Sequence, residues 1–218
     1  GDNLVKKGVL NSIQDIGEWM EQASSAILSS VGDDNILKLK LSDKEVLILN
    51  SKTPVPIVNK YHSKNTLGND RLAAMVAANS IFPNSCVLVI DVGTCITFDL
   101  INDKKEYLGG SISPGLNMKI NALNNQTFRL PLIELQKNVP LIGDDTEKSI
   151  LSGVVNGTLV EIDGLISCYK EQYPKLKIIM TGGDLNFFDK GLKNTIFADP
   201  NLVFKGLNNI LRYNEKNI

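Results

Sequence analysis

Hydrophobic positions recur along the chain on two periods, and the switches between them mark out its elements. From residue 11 to 30, Ile13, Ile16, Trp19, Met20, Ala23 and Ile27 return near the helical period, and Ser12 with Asp15 three residues on suits an opening turn. This predicts an amphipathic helix over 11–30. Val46 to Leu49 is a short apolar run and reads as a strand, while 51–66 carries Pro54 and Pro56 among polar residues and reads mostly as loop. A helix rich in Ala and Leu is expected from Asp70 to Ser80, with Pro83 beyond its end. Cys86 to Ile90 is wholly apolar and largely β-branched, the pattern of a strand buried on both faces. Cys95 to Leu100 follows as a second strand. The polar turn 102–105 then leads into a third at Tyr107 to Gly110.

Pro114-Gly115 interrupts the pattern before a helix at Leu116 to Leu123. A long helix is expected from Thr146 to about Tyr169, a strand at Lys177 to Thr181 and a last helix at Lys205 to Tyr213. No repeat of 20–50 residues is evident. From residue 86 the order is strand, hairpin, helix, helix, strand, helix. That predicts a mixed α/β unit whose sheet joins an antiparallel meander to parallel additions.

Composition narrows the function classes. A chain of 218 residues, 43 % apolar and 22 % charged, suits one or two globular domains. Lys and Arg total 23 against 24 Asp and Glu, so the net charge is −1 and no nucleic-acid partner is expected. Cys86, Cys95 and Cys168 are too few and scattered for a disulfide framework or a cysteine zinc site, which points to a reducing cytoplasm. No apolar run reaches about 18 residues, so no membrane span is expected, and no signal peptide is visible.

Several short constellations could carry chemistry, and each has a plain structural reading beside the functional one. Asp91-Val92-Gly93-Thr94 suits a phosphate and cation site, with glycine admitting the phosphate, threonine donating and the carboxylate holding a cation; it equally suits a simple hairpin turn. Thr181-Gly182-Gly183-Asp184 lies where nucleotides bind at strand ends, or is only a strand-to-helix turn. In Gly68-Asn69-Asp70-Arg71, Asp70 is either a helix-start acid or a general base beside an arginine anion clamp. Tyr61 lies in the preceding loop, where aromatics often line ligands, and the lone His62 reads as a surface residue. Thr146, in Gly143-Asp144-Asp145-Thr146, reads first as a helix cap and second as a hydroxyl contact to substrate.

Taken in order, DVGTCITFDL, LGGSISPGLNMKINALNNQT with the following LP, GDDT and TGGD, together with the upstream GNDR, resemble type III pantothenate kinases. The likeness spans about residues 61–184. It implies the fold of the acetate and sugar kinase, Hsp70 and actin superfamily, with ATP between two ribonuclease-H-like domains. Residues 1–85 would form an N-terminal α/β domain and 86–218 the C-terminal one. The implied reaction is ATP-dependent phosphorylation of pantothenate, the first step toward coenzyme A. Asp70 would be the general base, with Tyr61, Gly68, Asn69, Arg71 and Thr146 around the pantothenate. Asp91 would bind a monovalent cation, potassium or ammonium, and Thr94 would contact ATP, which comes with Mg2+. The resemblance also implies a homodimer that completes the pocket. Apolar residues on more than one side of the helices, such as Leu72, Met75 and Val76 or Leu151, Val154 and Val155, offer a second motive for pairing.

The family opens with a D-x-G-N-T turn that holds the ATP phosphates. Gly1-Asp2-Asn3 does not match it, so the first domain is expected to lack about one hairpin. A non-catalytic regulatory or binding protein that keeps the fold is the competing reading; Asp70, Arg71, Asp91 and Thr94 favour the enzyme.

Overall fold

A computed structural model describes residues 23–29, 46–188 and 191–215. Strand β1 (Ala26–Leu28) pairs in parallel with β2 (Val46–Ile48). This corrects the helical reading of 11–30 in its described part. Three apolar residues lie in register with Val46-Leu47-Ile48, the ladder continues through the Leu49 amide to the Leu28 carbonyl at 2.9 Å, and Ile27 and Leu47 pack on one hydrophobic cluster. A pairing this short leaves no period of its own. The rest of that predicted helix lies outside the described residues.

The main sheet has six strands. They are β3 (Val58–Asn59), β4 (Val87–Val92), β5 (Cys95–Ile101), β6 (Glu106–Pro114), β7 (Lys177–Thr181) and β8 (Phe197–Ala198), in the order β3-β6-β5-β4-β7-β8. β4, β5 and β6 form the expected antiparallel meander; β7 joins β4 in parallel and β8 joins β7. Counted from β4, the order is third, second, first, fourth, fifth, with the second strand reversed. That is the ribonuclease-H-like arrangement.

Helices cover both faces. On one face lie α1 (Asn69–Ile81) and α5 (Leu202–Glu215), packed with Val87, Val89, Ile101, Tyr107 and Ile179. On the other lie α2 (Leu116–Asn125) and the continuous helix 146–172, with Leu88, Ile90, Val92, Phe98 and Met180. That long helix is α3 (Thr146–Leu151), a π turn at Ser152–Asn156, and α4 (Gly157–Gln172). By length and composition it could cross a membrane, but Ile150, Val154, Ile162 and Ile166 are buried in the second cluster, which makes it a core helix.

Period-two alternation on β4 sends Val87 and Val89 toward α1 and Leu88 and Ile90 toward the other layer. The next residue in the α1-facing set is Asp91. The contact of α1 with α5 is close. A Cβ added to Gly206 would run into the backbone of Ala73, so only glycine lets the two helices touch there. Leu72, Met75, Val76, Leu151, Val154 and Val155 are all buried within the chain, so the sequence motive for pairing that they offered does not hold.

Candidate active site

The two glycine-bearing motifs, far apart in sequence, meet at the carboxyl ends of adjacent parallel strands. Asp91 on β4 lies in register with Thr181 on β7. The Asp184 amide donates to the Val92 carbonyl at 2.9 Å, and the Gly115 amide donates to the Thr94 carbonyl at 3.1 Å. Gly182 has φ +107° and sits against the Val92 carbonyl; a Cβ there would be 2.6 Å from Asp91 Oδ1. The position therefore demands glycine twice, for its left-handed backbone and for its missing side chain. Thr94 is exposed on the β4–β5 turn. After Asp184 the chain makes a 3-10 turn, Leu185–Phe187.

Asp91 is partly buried, and its pKa is pushed from 3.8 to about 6. Burial is the main cause, followed by the negative charges of Asp70 and Asp99. No lysine or arginine among the described residues pairs with it. A lone carboxylate beside backbone carbonyls is an all-oxygen donor set, which fits a hard cation. No cluster of three acidic, His or Cys side chains able to hold a metal occurs among the described residues. Magnesium arriving on nucleotide phosphates needs no such cage, because it keeps waters and phosphate oxygens as ligands.

The second half of the site is built on the first turn of α1. Gly68 is its N-cap, and the Asn69 side-chain amide donates to the Leu49 carbonyl at 3.0 Å, tying the helix start to the end of β2. Asp70 is exposed, and its Oδ1 accepts from the Arg71 amide at 2.9 Å. Arg71 turns the other way. Only 8 % exposed, it forks onto Asp99 of β5, which is 2 % exposed, with Nε donating to Oδ2 at 2.9 Å and Nη2 to Oδ1 at 2.5 Å. Burial alone would lower the arginine pKa, but the bonds and charge of Asp99 outweigh it and hold it above its usual range.

Tyr107 of β6 donates its hydroxyl to Asp99 Oδ1 at 2.6 Å, and burial with the Asp99 charge pushes that phenol well above its ordinary pKa. The Tyr61 ring lies parallel to that of Tyr107, centroids 6.0 Å apart, with Arg71 Cζ 5.5 Å from its centre. Gly109, at φ +108°, leaves room for it: a Cβ there would come within 3.3 Å of the Tyr61 ring.

The structure thus gathers Tyr61, Gly68, Asn69, Asp70, Arg71, Asp91 and Thr94 about the carboxyl end of β4 and the start of α1. Thr146 stands elsewhere. It is exposed at the start of α3, on a groove of about 690 Å³ shared with Leu123, Leu130 and Ile150. It is not the helix cap either: Asp145 is, accepting from the Lys148 amide at 2.7 Å. Asp99 and Tyr107 escaped the sequence reading. Their signal was an acid set inside the apolar run Phe98-Asp99-Leu100, a position that needs a buried partner.

Comparison with known proteins decides the family. The sequence profile of type III pantothenate kinase matches residues 12–168. A type III pantothenate kinase of Bacteroides fragilis is 47% identical over 196 residues, which is 88% of this chain and 81% of that protein. One from Christiangramia forsetii is 41% identical over 217 residues, covering 97% and 88%. The chain belongs to the type III pantothenate kinase family. A crystal structure of a Baf family protein from Campylobacter jejuni superposes with a TM-score of 0.61 at 22% identity, covering 92% of this chain and 89% of that one, and so shares the fold. For a type III pantothenate kinase the expected superfamily is that of the acetate and sugar kinases, Hsp70 and actin, and the strand order from β4 to β8 agrees with it.

Proposed function

We propose that Asp70 is the base of the reaction that family membership assigns to this kinase, transfer of the γ-phosphoryl group of ATP to the hydroxyl of pantothenate. The product is 4'-phosphopantothenate, at the first step of coenzyme A biosynthesis. The carrying observation is an exposed carboxylate on the first turn of α1, close enough to the β4 strand end that its charge is felt by Asp91. The hydroxyl oxygen bonds to the γ-phosphorus, the bond to the bridging oxygen breaks, ADP departs and the hydroxyl proton passes to Asp70. Arg71 cannot serve as base, because its guanidinium stays protonated.

Tyr61, Gly68, Asn69 and Arg71 line the acceptor side. Thr94 and the glycine turns face the nucleotide, whose phosphates bring Mg2+. Asp91 with turn carbonyls holds potassium or ammonium, which neutralises charge near the transferring group. The reading of 1–85 and 86–218 as two domains draws on the separate sheet of β1 and β2, while β3 and α1 of the first segment are built onto the main sheet. The chain works in the cytoplasm as a homodimer, with Thr146 lining the partner's pocket. Two observations support the pairing. Thr146 lines a groove that Tyr61, Asp70, Arg71 and Asp91 do not line, and Leu141, Ile142 and Val160 are 80, 83 and 72% exposed.

The test is ADP release that requires pantothenate, with the phosphorylated product read by mass spectrometry and potassium present or withheld. ADP release indifferent to pantothenate overturns the acceptor. Rates indifferent to potassium and ammonium remove the cation. Sedimentation as a stable 24 kDa species removes the dimer.

A further inference from the structure

Asp99 takes no part in the transfer outlined above, yet it is a carboxylate 2 % exposed in the middle of an apolar strand. A buried ion pair is a weak source of stability, since well-packed apolar residues in its place do as well. What the pair achieves is geometric. Asp99 takes Nε and Nη2 of Arg71, which sets the plane of the guanidinium. Tyr107, donating to Oδ1 of the same carboxylate, stops that carboxylate from turning. The Tyr107 ring in turn lies parallel to Tyr61, and Tyr61 rests over Gly109 beside the guanidinium. Two groups from different parts of the chain, a loop tyrosine and a helix arginine, are therefore both seated against β5 and β6.

We propose that Asp99 and Tyr107 are positioning residues for the acceptor half of the site. They hold Arg71 and Tyr61 in the arrangement that receives pantothenate, so that little side-chain ordering is left to occur on binding. This rests on the reading that Arg71 and Tyr61 line the acceptor pocket.

Three variants of the full chain test it: Arg71→Lys, Tyr107→Phe and Asp99→Asn, with KM measured for both substrates. Loss of one hydrogen bond in Tyr107→Phe should raise the pantothenate KM by about threefold to tenfold, with the ATP KM unchanged. Asp99→Asn should raise it further. Added to Arg71→Lys, it should add almost nothing, because it acts through that arginine. An unchanged pantothenate KM in Tyr107→Phe, or an equal rise in both KM values, overturns the proposal and leaves the pair a purely structural feature. Should Asp99→Asn fail to fold, Tyr107→Phe alone decides. A pantothenate KM unmoved by Arg71→Lys sinks the pocket reading itself. A KM raised by Arg71→Lys but unmoved by Tyr107→Phe sinks only the positioning role.

Discussion

Asp91 and Asp99 stand on neighbouring strands and face the same helix, but their surroundings are opposite. In the antiparallel register Val89 is opposite Asp99 and Thr97 is opposite Asp91, which puts both carboxylates on the α1 side of the sheet. Around Asp99 every demand of a buried charge is met, with a forked guanidinium and a phenol on its oxygens. Around Asp91 no described residue supplies a positive charge, and two like charges lie within reach. One region is finished by folding alone. The other leaves its carboxylate without a described counter-charge, the arrangement on which the proposed cation site rests.

The largest expected effect tests the carboxylate between these regions. Asp70→Asn should lower kcat by about 10²–10⁴, the usual contribution of a general base, with the pantothenate KM and the melting temperature little changed. Steady-state kinetics with a thermal melt checks this, and near-normal turnover would reduce Asp70 to a helix-start acid. Next comes the finished region. Asp99→Asn leaves Arg71 buried without its counter-charge and should cost about 3 kcal/mol in urea unfolding, whereas the joint replacement Arg71→Met with Asp99→Leu should recover most of it. A loss confined to a few tenths would mean that Arg71 is not left as an uncompensated buried charge.

Asp91 should behave with the opposite sign. Its pKa rises on folding from 3.8 to about 6, so between those values the folded chain binds more protons than the unfolded one. Stability therefore falls as pH climbs through that window and stays lower above it. In a buffer whose only cation is tetramethylammonium, Asp91→Asn should be more stable than the parent near neutral pH by on the order of 1–2 kcal/mol, the gap closing toward about pH 4. Potassium should then stabilise the parent and not the variant. If Asp91→Asn is less stable at neutral pH, the contrast between the two aspartates is gone. The smallest effect calibrates the others. Asp145 caps α3 and pairs with exposed Lys148 at the surface, and Asp145→Ala should cost about 1 kcal/mol by the same unfolding measurement.

Much of this arrangement was legible before any coordinates. The run Cys86 to Ile90 announced its buried strand, and the polar turn at 102–105 announced the hairpin. The motifs at Asp91 and Gly182 pointed to a shared strand-end site and do converge. Two of the features that stayed hidden depend on partners distant in sequence. Ala26–Leu28 becomes extended because Val46–Ile48 lies beside it, a pairing that no local period reveals. Asp99 looks like one polar interruption in a strand until Arg71 and Tyr107 are brought to it. Thr146 loses the cap to Asp145 by a single position, a distinction that depends on the extended backbone at 145 rather than on residue preference. The π turn within the long helix left no mark in its apolar spacing.

The contact between Gly206 and Ala73 bears on the order in which the molecule is assembled. The helix that carries Asp70 leaves the ribosome well before the helix that clamps it backbone to backbone. Until α5 emerges, the alanine-lined side of α1 has no cover, and its first turn has only one of its two supports. Synthesis from the N-terminus thus delivers the described strands first and fixes the helix bearing Asp70 only once α5 follows. Asp70 takes its final place only after α5 has been made.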